Sequence, residues 1–291
     1  MMDMGAPDWI KRRYSTEYTD YLEARLSPTT ASAADLADAR DALHATAIAH
    51  DVLAMQRDDG GWTPESPELW YQGLPSMLGL LLDYGWTPLD EPAARGLRYL
   101  QSLQQADGRF FEDSPGAIPY DEAFNAGCLR VLAQAGMREH PATRKSAERL
   151  MAARRADGGW STLPPWMRPP NQPMPDPEPS CPICTFLAQR ALGRVLDLPP
   201  ATVTEYLETG LALAPGLPED ARAGRLRERL GFMADQGLMV GDARVDADLA
   251  ALEACRDADG RFAHVESPAS YATPEQAEIE TRHLRWRLGA G

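Results

Sequence analysis

The chain has 291 residues, of which 44% are hydrophobic and 25% are charged, as is ordinary for a globular protein that buries a core. Its 43 acidic residues outnumber its 29 basic residues, and the net charge of −14 disfavours nucleic acid and anionic lipid surfaces as partners. No apolar run reaches the length of about 18 residues that an integral membrane segment needs, and the N-terminus lacks the apolar core of a signal peptide, so a cytoplasmic protein is expected.

The first predicted element is a helical segment within residues 1–44, and its stretch 9–26 is long enough for one helix. The first octet of a repeat follows. The four copies read MQRDDGGW, LQQADGRF, ARRADGGW and CRDADGRF. The aspartates that precede glycine in these copies are Asp59, Asp107, Asp157 and Asp259. They are separated by 48, 50 and 102 residues, and the last interval is two periods of 51. A degenerate copy is therefore expected near residue 208, where the stretch 204–210 offers a helix and a glycine stop.

Two kinds of helix are predicted in each period of about 50 residues. The segment before an octet is apolar at helical spacing, as at Leu97, Leu100 and Leu103, and it ends at the Asp-Gly turn. A second, more apolar helix lies between octets and ends at its own glycine. These second helices cover residues 69–85, 120–136, 181–193 and 274–289. No segment alternates with a period of two for long enough to form a strand, so the predicted fold class is all-α.

The two kinds of helix predict two layers, because a helix with a polar face lies on the outside and an apolar helix lies inside. Stacked helical pairs form either an open solenoid or a closed ring. Five visible units favour a ring, and the N-terminal stretch 9–26 would supply a sixth. We therefore expect a single domain of residues 1–291. It comprises an N-terminal helical segment (1–44), the repeats (45–291) and, within them, a proline-rich loop (161–180).

The pattern Leu-x-x-x-Gln-x-x-Asp-Gly-x-Trp/Phe resembles the repeat shared by squalene and other terpenoid cyclases and by the β subunits of protein prenyltransferases. The resemblance extends from about Ala45 to Gly289. It implies an α/α toroid of about five to six helical hairpins. It also implies that the reactive groups project into the central cavity from the starts of the inner helices.

The terminal glycines of the inner helices, Gly85, Gly136, Gly193 and Gly289, give a common register for these helices. In this register Trp70, Asp121, Glu178 and Pro274 are equivalent. The register predicts the following catalytic candidates: Asp121, Glu178, Cys181, Cys184 and Glu280. It predicts the following substrate-binding candidates: Trp70, Tyr71, Tyr120, Phe124 and His283. The aromatic residues among them either line a cavity or belong to the core.

The acidic candidates are substitutes for a motif that this sequence lacks. Class II cyclases protonate their substrate with an Asp-x-Asp-Asp motif, which occurs on none of the inner helices here. Asp176 and Glu178 stand in its place, with Pro177 and Pro179 beside them. These two acids either act as the proton donor or lie in a solvated loop. A loop as long as 161–180 is usually functional or disordered, and its position just before the cysteines favours a lid.

A metal site is the second kind of chemistry that these residues admit. Protein prenyltransferases hold zinc with an Asp, a Cys and a His, but Pro179 stands where their aspartate would precede Cys181. The spacing of Cys181 and Cys184 still admits zinc, with Asp121, Glu280 or His283 as further ligands. The alternatives are two packed thiols or a redox dithiol. The four cysteines are too few for a disulfide scaffold, and reduced thiols are expected. His283 is flanked by arginines, which is typical of a solvated helix face.

The leading hypothesis is a terpenoid cyclase-like or prenyltransferase-like enzyme that acts on a small hydrophobic molecule, of the isoprenoid type, in the cavity of the ring. One alternative is a carbohydrate hydrolase or lyase built on an α/α ring, which needs paired carboxylates such as Asp121 and Glu178. The other alternative is a non-catalytic scaffold that binds a ligand or a protein. No phosphate-binding glycine-rich loop or nucleophile elbow occurs.

Overall fold

A computed structural model describes residues 15–26, 31–62, 73–111, 122–160, 180–213, 222–262 and 274–290. These residues form twelve helices and no strand, with isolated β-bridges at Gln104 to Phe110 and at Arg256 to Phe262. The prediction of an all-α fold is confirmed over these ranges. None of the helices that they contain is long and apolar enough to cross a membrane.

The helices are numbered in chain order. They are α1 (Thr16–Leu26), α2 (Ala33–His44), α3 (Ala47–Ala54), α4 (Leu74–Asp83), α5 (Glu91–Ser102), α6 (Glu122–Gln134), α7 (Pro141–Ala152), α8 (Pro182–Val195), α9 (Pro200–Leu213), α10 (Arg222–Asp235), α11 (Ala243–Glu253) and α12 (Pro274–Arg287).

The chain divides into two compact units, the terminal unit (residues 1–55 and 217–291) and the middle unit (residues 56–216). In the middle unit α4, α6 and α8 pack side by side as an inner row, and α5, α7 and α9 pack against that row from outside. In the terminal unit α12 packs between α10 and α1, while α11 packs on α10 and α2 packs on α1. These layered helical pairs are of the kind from which an α/α toroid is built.

Each Asp-Gly octet forms the same turn. In the first copy the Arg57 N–H donates to the Gly61 carbonyl at 2.9 Å, the Gly60 N–H donates to the Arg57 carbonyl at 2.9 Å, and the Asp59 carboxylate accepts from the Gly61 N–H at 2.9 Å. Gly60 has a φ of +96°, which favours glycine. In the fourth copy the carboxylate of Asp257, rather than that of Asp259, accepts backbone hydrogen bonds, and the donors are the N–H groups of Asp259 and Arg261.

The aromatic residue that ends each octet lies in the core. Trp62, Phe110, Trp160 and Phe262 are all at most 2% exposed. In the first two copies the side chain three residues before the aspartate ties the turn to the next outer helix. Gln56 donates to the carbonyls of Gly60 and Pro92, and Gln104 donates to those of Gly108 and Ala142, where Pro92 and Ala142 lie in the first turns of α5 and α7. The repeat is therefore a structural device that links successive outer helices.

Three of the four predicted terminal glycines end an inner helix. Gly85, Gly136 and Gly289 have positive φ angles of 86°, 76° and 78°. The prediction that Gly193 ends the third inner helix is wrong, because α8 continues to Val195 and its C-cap, Leu196, is extended. Asn125 and Thr185 accept from the backbone N–H groups of Phe110 and Trp160 and are 60 residues apart, so the corrected register makes Cys181, rather than Glu178, equivalent to Asp121.

Gly210 does not stop a helix either, because α9 runs through it to Leu213. The next inner helix, α10, was not predicted. It ends at Gly237, whose φ is +74°. The N-terminal helix, by contrast, was predicted. α1 packs on α12, where the Gln276 side chain donates to the Thr19 hydroxyl at 3.2 Å, so the first described helix is a neighbour of the last.

Candidate functional site

Five of the predicted site residues lie outside the described residues. They are Trp70, Tyr71, Tyr120, Asp121 and Glu178. All five fall in the stretches 63–72, 112–121 and 161–179, which connect a repeat turn to an inner helix of the middle unit. Most of the proline-rich loop 161–180 lies outside the described residues as well. The five remaining candidates, Phe124, Cys181, Cys184, Glu280 and His283, can be placed.

Cys181 and Cys184 lie at the start of α8. Cys181 is the N-cap of that helix and is partly accessible, and Pro182 occupies its first turn. Cys184 is fully buried. Neither thiol forms a disulfide. Within the described ranges no group of three or more His, Cys, Asp and Glu side chains could hold a metal ion. The buried Cys184 therefore behaves as a small apolar residue. Cys181 is the more accessible of the two thiols.

The segment that carries Cys181 is anchored to the third repeat turn. The Asp157 carboxylate accepts from the Ser180 N–H at 2.8 Å and from the Ser180 hydroxyl at 2.6 Å. Burial raises the pKa of Asp157, but the hydrogen bonds from Ser180 and Gly159 outweigh it and hold this pKa below its ordinary value. The Cys181 N–H donates to the Trp160 carbonyl at 2.8 Å. Together these bonds fix the position of Cys181.

Inner helices bind the repeat aromatics through polar side chains that the sequence analysis missed. The backbone N–H of Trp160 donates to the Thr185 hydroxyl at 3.0 Å, and the backbone N–H of Phe110 donates to the Asn125 side-chain carbonyl at 2.8 Å. Both acceptors are buried. The available signal was a single polar residue in the first turns of a mainly apolar helix. Phe124, beside Asn125, is partly accessible, as a cavity-lining residue must be.

One stripe of the inner row stays accessible to solvent, and we name it the open face. Its residues recur three or four positions apart on α6 and α8, with Ser76 on α4 beside them. The open face consists of Ser76, Ala123, Gly127, Arg130, Leu187 and Arg190. Leu187 is 39% exposed although it is a large apolar residue. The open face therefore combines small and apolar side chains with two guanidinium groups.

Close packing between α4 and α6 shapes the open face. A Cβ atom added at Gly127 would lie 3.1 Å from the Pro75 Cβ, and one added at Gly79 would lie 2.9 Å from Arg130 Nη2. The Arg130 guanidinium thus lies directly over the α4 backbone at Gly79. Farther along, the Gln134 side chain donates to the Asp83 carboxylate at 2.6 Å. The glycines keep the two helices close and make room for the Arg130 side chain over α4.

Glu280 and His283 lie on α12, in the terminal unit. Glu280 Oε2 is 3.3 Å from Nε of Arg227, which belongs to α10. His283 Nδ1 is 3.3 Å from the Leu26 carbonyl at the end of α1, and its ring stacks on Trp286 with the centroids 5.7 Å apart. His283 thus joins two helices of the terminal unit.

His283 gives the stability of the protein a defined pH dependence. Burial lowers the pKa of His283 from its ordinary 6.5, and the charges of Arg287 and Arg25 lower it further, against the hydrogen bond to Leu26. Because the folded pKa is lowered, the unfolded chain takes up this proton first as the pH falls. We expect the free energy of unfolding to decrease as the pH falls below about 6.5, down to the folded pKa of His283. Urea unfolding between pH 8 and pH 5 should show a shallower pH slope for His283→Gln, and an unchanged slope would contradict this account.

No protein-family model matches the sequence, and no curated protein matches it. Several solved structures are similar in their arrangement of helices, and two of them are described here. One is a crystal structure of a protein from Actinoplanes, with 16% sequence identity and a TM-score of 0.49, over 97% of this chain and 96% of that one. The other is ent-copalyl diphosphate synthase from Streptomyces platensis, with 15% identity and a TM-score of 0.46 over 94% of this chain. The chain spans 50% of that synthase. Neither likeness is close enough to carry an argument about function.

Proposed function

We propose that this chain is an enzyme of the terpenoid cyclase and prenyltransferase-like type, which binds a hydrophobic substrate of the isoprenoid class on the open face. The observation that carries the proposal is the composition of that face. A helix row whose accessible stripe holds Ala123, Gly127 and the 39% exposed Leu187 offers apolar surface to a ligand. The small residues leave room for a chain to lie along the row.

The open face suits a ligand that is apolar along its length and anionic at one end. Each CH₂ group that leaves water contributes about 0.8 kcal/mol, so a branched hydrocarbon chain gains affinity from such a surface. Arg130 and Arg190 lie on the same stripe and would bind an anionic head group. A prenyl diphosphate has both parts, and its cyclisation or transfer passes through cationic species that aromatic rings stabilise.

The reacting groups in this proposal come from the N-terminal ends of the inner helices. Cys181, held at the start of α8 by Ser180 and Trp160, is the accessible thiol there. Asp121 and Glu178 are the proposed acids, and Tyr71, Tyr120, Trp70 and Phe124 are the proposed aromatic wall. Product analysis by mass spectrometry after incubation with farnesyl diphosphate tests whether turnover accompanies binding; a scaffold would bind without forming product.

Leu187→Glu is expected to weaken the binding of farnesyl diphosphate at least about tenfold, because burial of one leucine side chain is worth about 1.5–3 kcal/mol. The same substitution should leave the free energy of unfolding nearly unchanged, since Leu187 is already partly exposed. Isothermal titration with the full chain measures the affinity.

The matched control is Leu89→Glu. Leu89 is 95% exposed and lies between α4 and α5, away from the open face. The Leu89→Glu substitution makes the same change in charge and side chain as Leu187→Glu. If both variants bind as the unmodified protein does, or if both lose the same affinity, the open face is not the binding surface.

A further inference from the structure

Arg227 on α10 is a buried cation with an unused hydrogen-bond donor. Its side chain is 7% exposed, and a guanidinium carries five N–H donors. Its ion pair with Glu280 is loose, with 3.3 Å between Nε and Oε2. Nη1 is buried and has no hydrogen-bond partner among the described residues. A buried donor left unpaired costs about 1–3 kcal/mol, and more when it belongs to a charged group.

The neighbouring Arg229 shows how the same helix pairs a buried arginine when no ligand is involved. Arg229 is also 7% exposed. Its Nε donates to the Asp248 carboxylate at 2.7 Å, and both side chains of that pair are almost fully buried. Two residues on one helix thus have the same burial and different pairing. Arg229 has a complete internal partner, and Arg227 does not.

Unpaired nitrogens on other arginines have a structural explanation that Arg227 lacks. Arg95 Nε is also buried and without a partner, but its Nη2 donates to Gln56 of the first repeat turn at 2.6 Å. Arg154 Nη2 is similar, since its Nε donates to the Gly158 carbonyl at 2.8 Å. Both of these arginines hold repeat turns. Arg227 lies on an inner-type helix. It contacts the ring of Phe262 in the fourth repeat turn, but the described residues show no hydrogen bond from Arg227 to that turn.

The surroundings of Arg227 indicate which kind of ligand would accept a hydrogen bond from its Nη1. The guanidinium carbon lies 5.8 Å from the centre of the Phe262 ring, so one side of the group is apolar. Glu280, whose Oε2 lies 3.3 Å from Nε, is 44% exposed, so solvent reaches the immediate neighbour of the guanidinium. A planar guanidinium that donates N–H groups matches the oxygens of a carboxylate or a phosphate. Cationic ligands are repelled by it, and neutral carbonyls bind it more weakly.

We infer that Arg227 is the binding residue of an oxyanion site in the terminal unit, where Nη1 donates to a carboxylate or phosphate oxygen of a ligand. The site shares no residue with the open face of the middle unit, and its existence does not depend on the proposed function. Glu280 borders the site and opposes a second negative charge there.

Titration calorimetry of the full chain with inorganic phosphate, pyrophosphate and acetate, at constant ionic strength, tests the site. At least one of these anions should bind with saturation. Arg227→Lys should weaken that binding about tenfold, because a point charge cannot reproduce the fork of a guanidinium. Arg229→Lys, on the same helix and equally buried, should change it less than about twofold. Preference for the phosphates identifies a phosphate ligand, and preference for acetate identifies a carboxylate.

Glu280→Gln separates ligand binding from a structural role of Arg227. Removal of the neighbouring negative charge should strengthen anion binding about threefold or more, whereas a merely structural ion pair would give no gain. This variant also decides the matter if Arg227→Lys does not fold, as judged by circular dichroism. The inference is overturned if the unmodified protein binds none of the anions, if Arg229→Lys weakens binding as much as Arg227→Lys does, or if Glu280→Gln weakens it.

Discussion

Trp160→Ala is expected to lower the free energy of unfolding by about 3–5 kcal/mol, the usual cost of removing a large buried aromatic side chain. Trp160 is 0% exposed, and its indole N–H donates to the Leu150 carbonyl at 2.8 Å. Its ring meets Tyr206 edge-on with the centroids 5.6 Å apart. The substitution removes all three contributions and leaves a cavity between α7, α8 and α9. Urea unfolding followed by circular dichroism measures the loss.

Trp160→Phe is the control for this prediction. Phe110 and Phe262 occupy the equivalent place in two other copies of the repeat, and both are buried. A phenylalanine should therefore fit the site and lose mainly the indole hydrogen bond, at a cost of about 1–2 kcal/mol. If alanine costs no more than phenylalanine, the repeat aromatic does not hold the layers together.

Gly60→Ala is expected to lower the free energy of unfolding by about 2–5 kcal/mol. A left-handed backbone costs a residue with a Cβ about 1–2 kcal/mol, and overpacking adds about 1–3 kcal/mol. Gly60 has a φ of +96°, and an added Cβ would lie 2.5 Å from the Arg95 carbonyl oxygen of α5. A backbone atom at this distance cannot turn aside, so the turn must move away from the next outer helix.

Gly136→Ala isolates the conformational part of this cost. Gly136 has a φ of +76°, and an added Cβ would meet nothing within 4 Å. We expect it to cost only about 1–2 kcal/mol. Urea unfolding should thus give Gly60→Ala a clearly lower free energy of unfolding than Gly136→Ala. Equal losses would show that the repeat turn does not pack tightly on α5.

The repeat could be predicted from the sequence because its interactions are local. The aspartate, the glycine and the aromatic lie within eight residues, and each has a role in the turn that residue type alone indicates. Gly193 and Gly210 were misread because a glycine stops a helix only when the chain leaves it there. An added Cβ at Gly210 would lie 3.4 Å from both Phe186 and Gln189, so this glycine lies at the contact between α8 and α9 and does not end a helix.

Helix α10 was not predicted because its arginines make the segment look polar, although one face of the helix is buried. Arg222, Arg225, Arg227 and Arg229 read as a polar segment, yet two of these side chains are buried. Their partners, Glu280 and Asp248, lie on other helices. Contacts between residues so distant in sequence follow from packing rather than from any local pattern.

The candidate site divides in the same way. The family resemblance predicts a site at the starts of the inner helices, and the Cys-x-x-Cys pair with Cys184 singles out Cys181; both stay predictions. The side chains that fix this region could not be predicted, because Ser180 binds Asp157 and Thr185 binds Trp160 across 23 and 25 residues. The open face emerged only once the inner row was known, since accessibility along α6 and α8 depends on which neighbours each helix has.

Hydrogen–deuterium exchange with and without saturating farnesyl diphosphate tests the central claim most directly. If the open face binds the ligand, amide exchange should slow in peptides from α4, α6 and α8 and stay unchanged in α5, α7 and α9. Protection confined to the outer helices, or no protection of any helix at saturation, would contradict the assignment of the inner row as the ligand-binding surface.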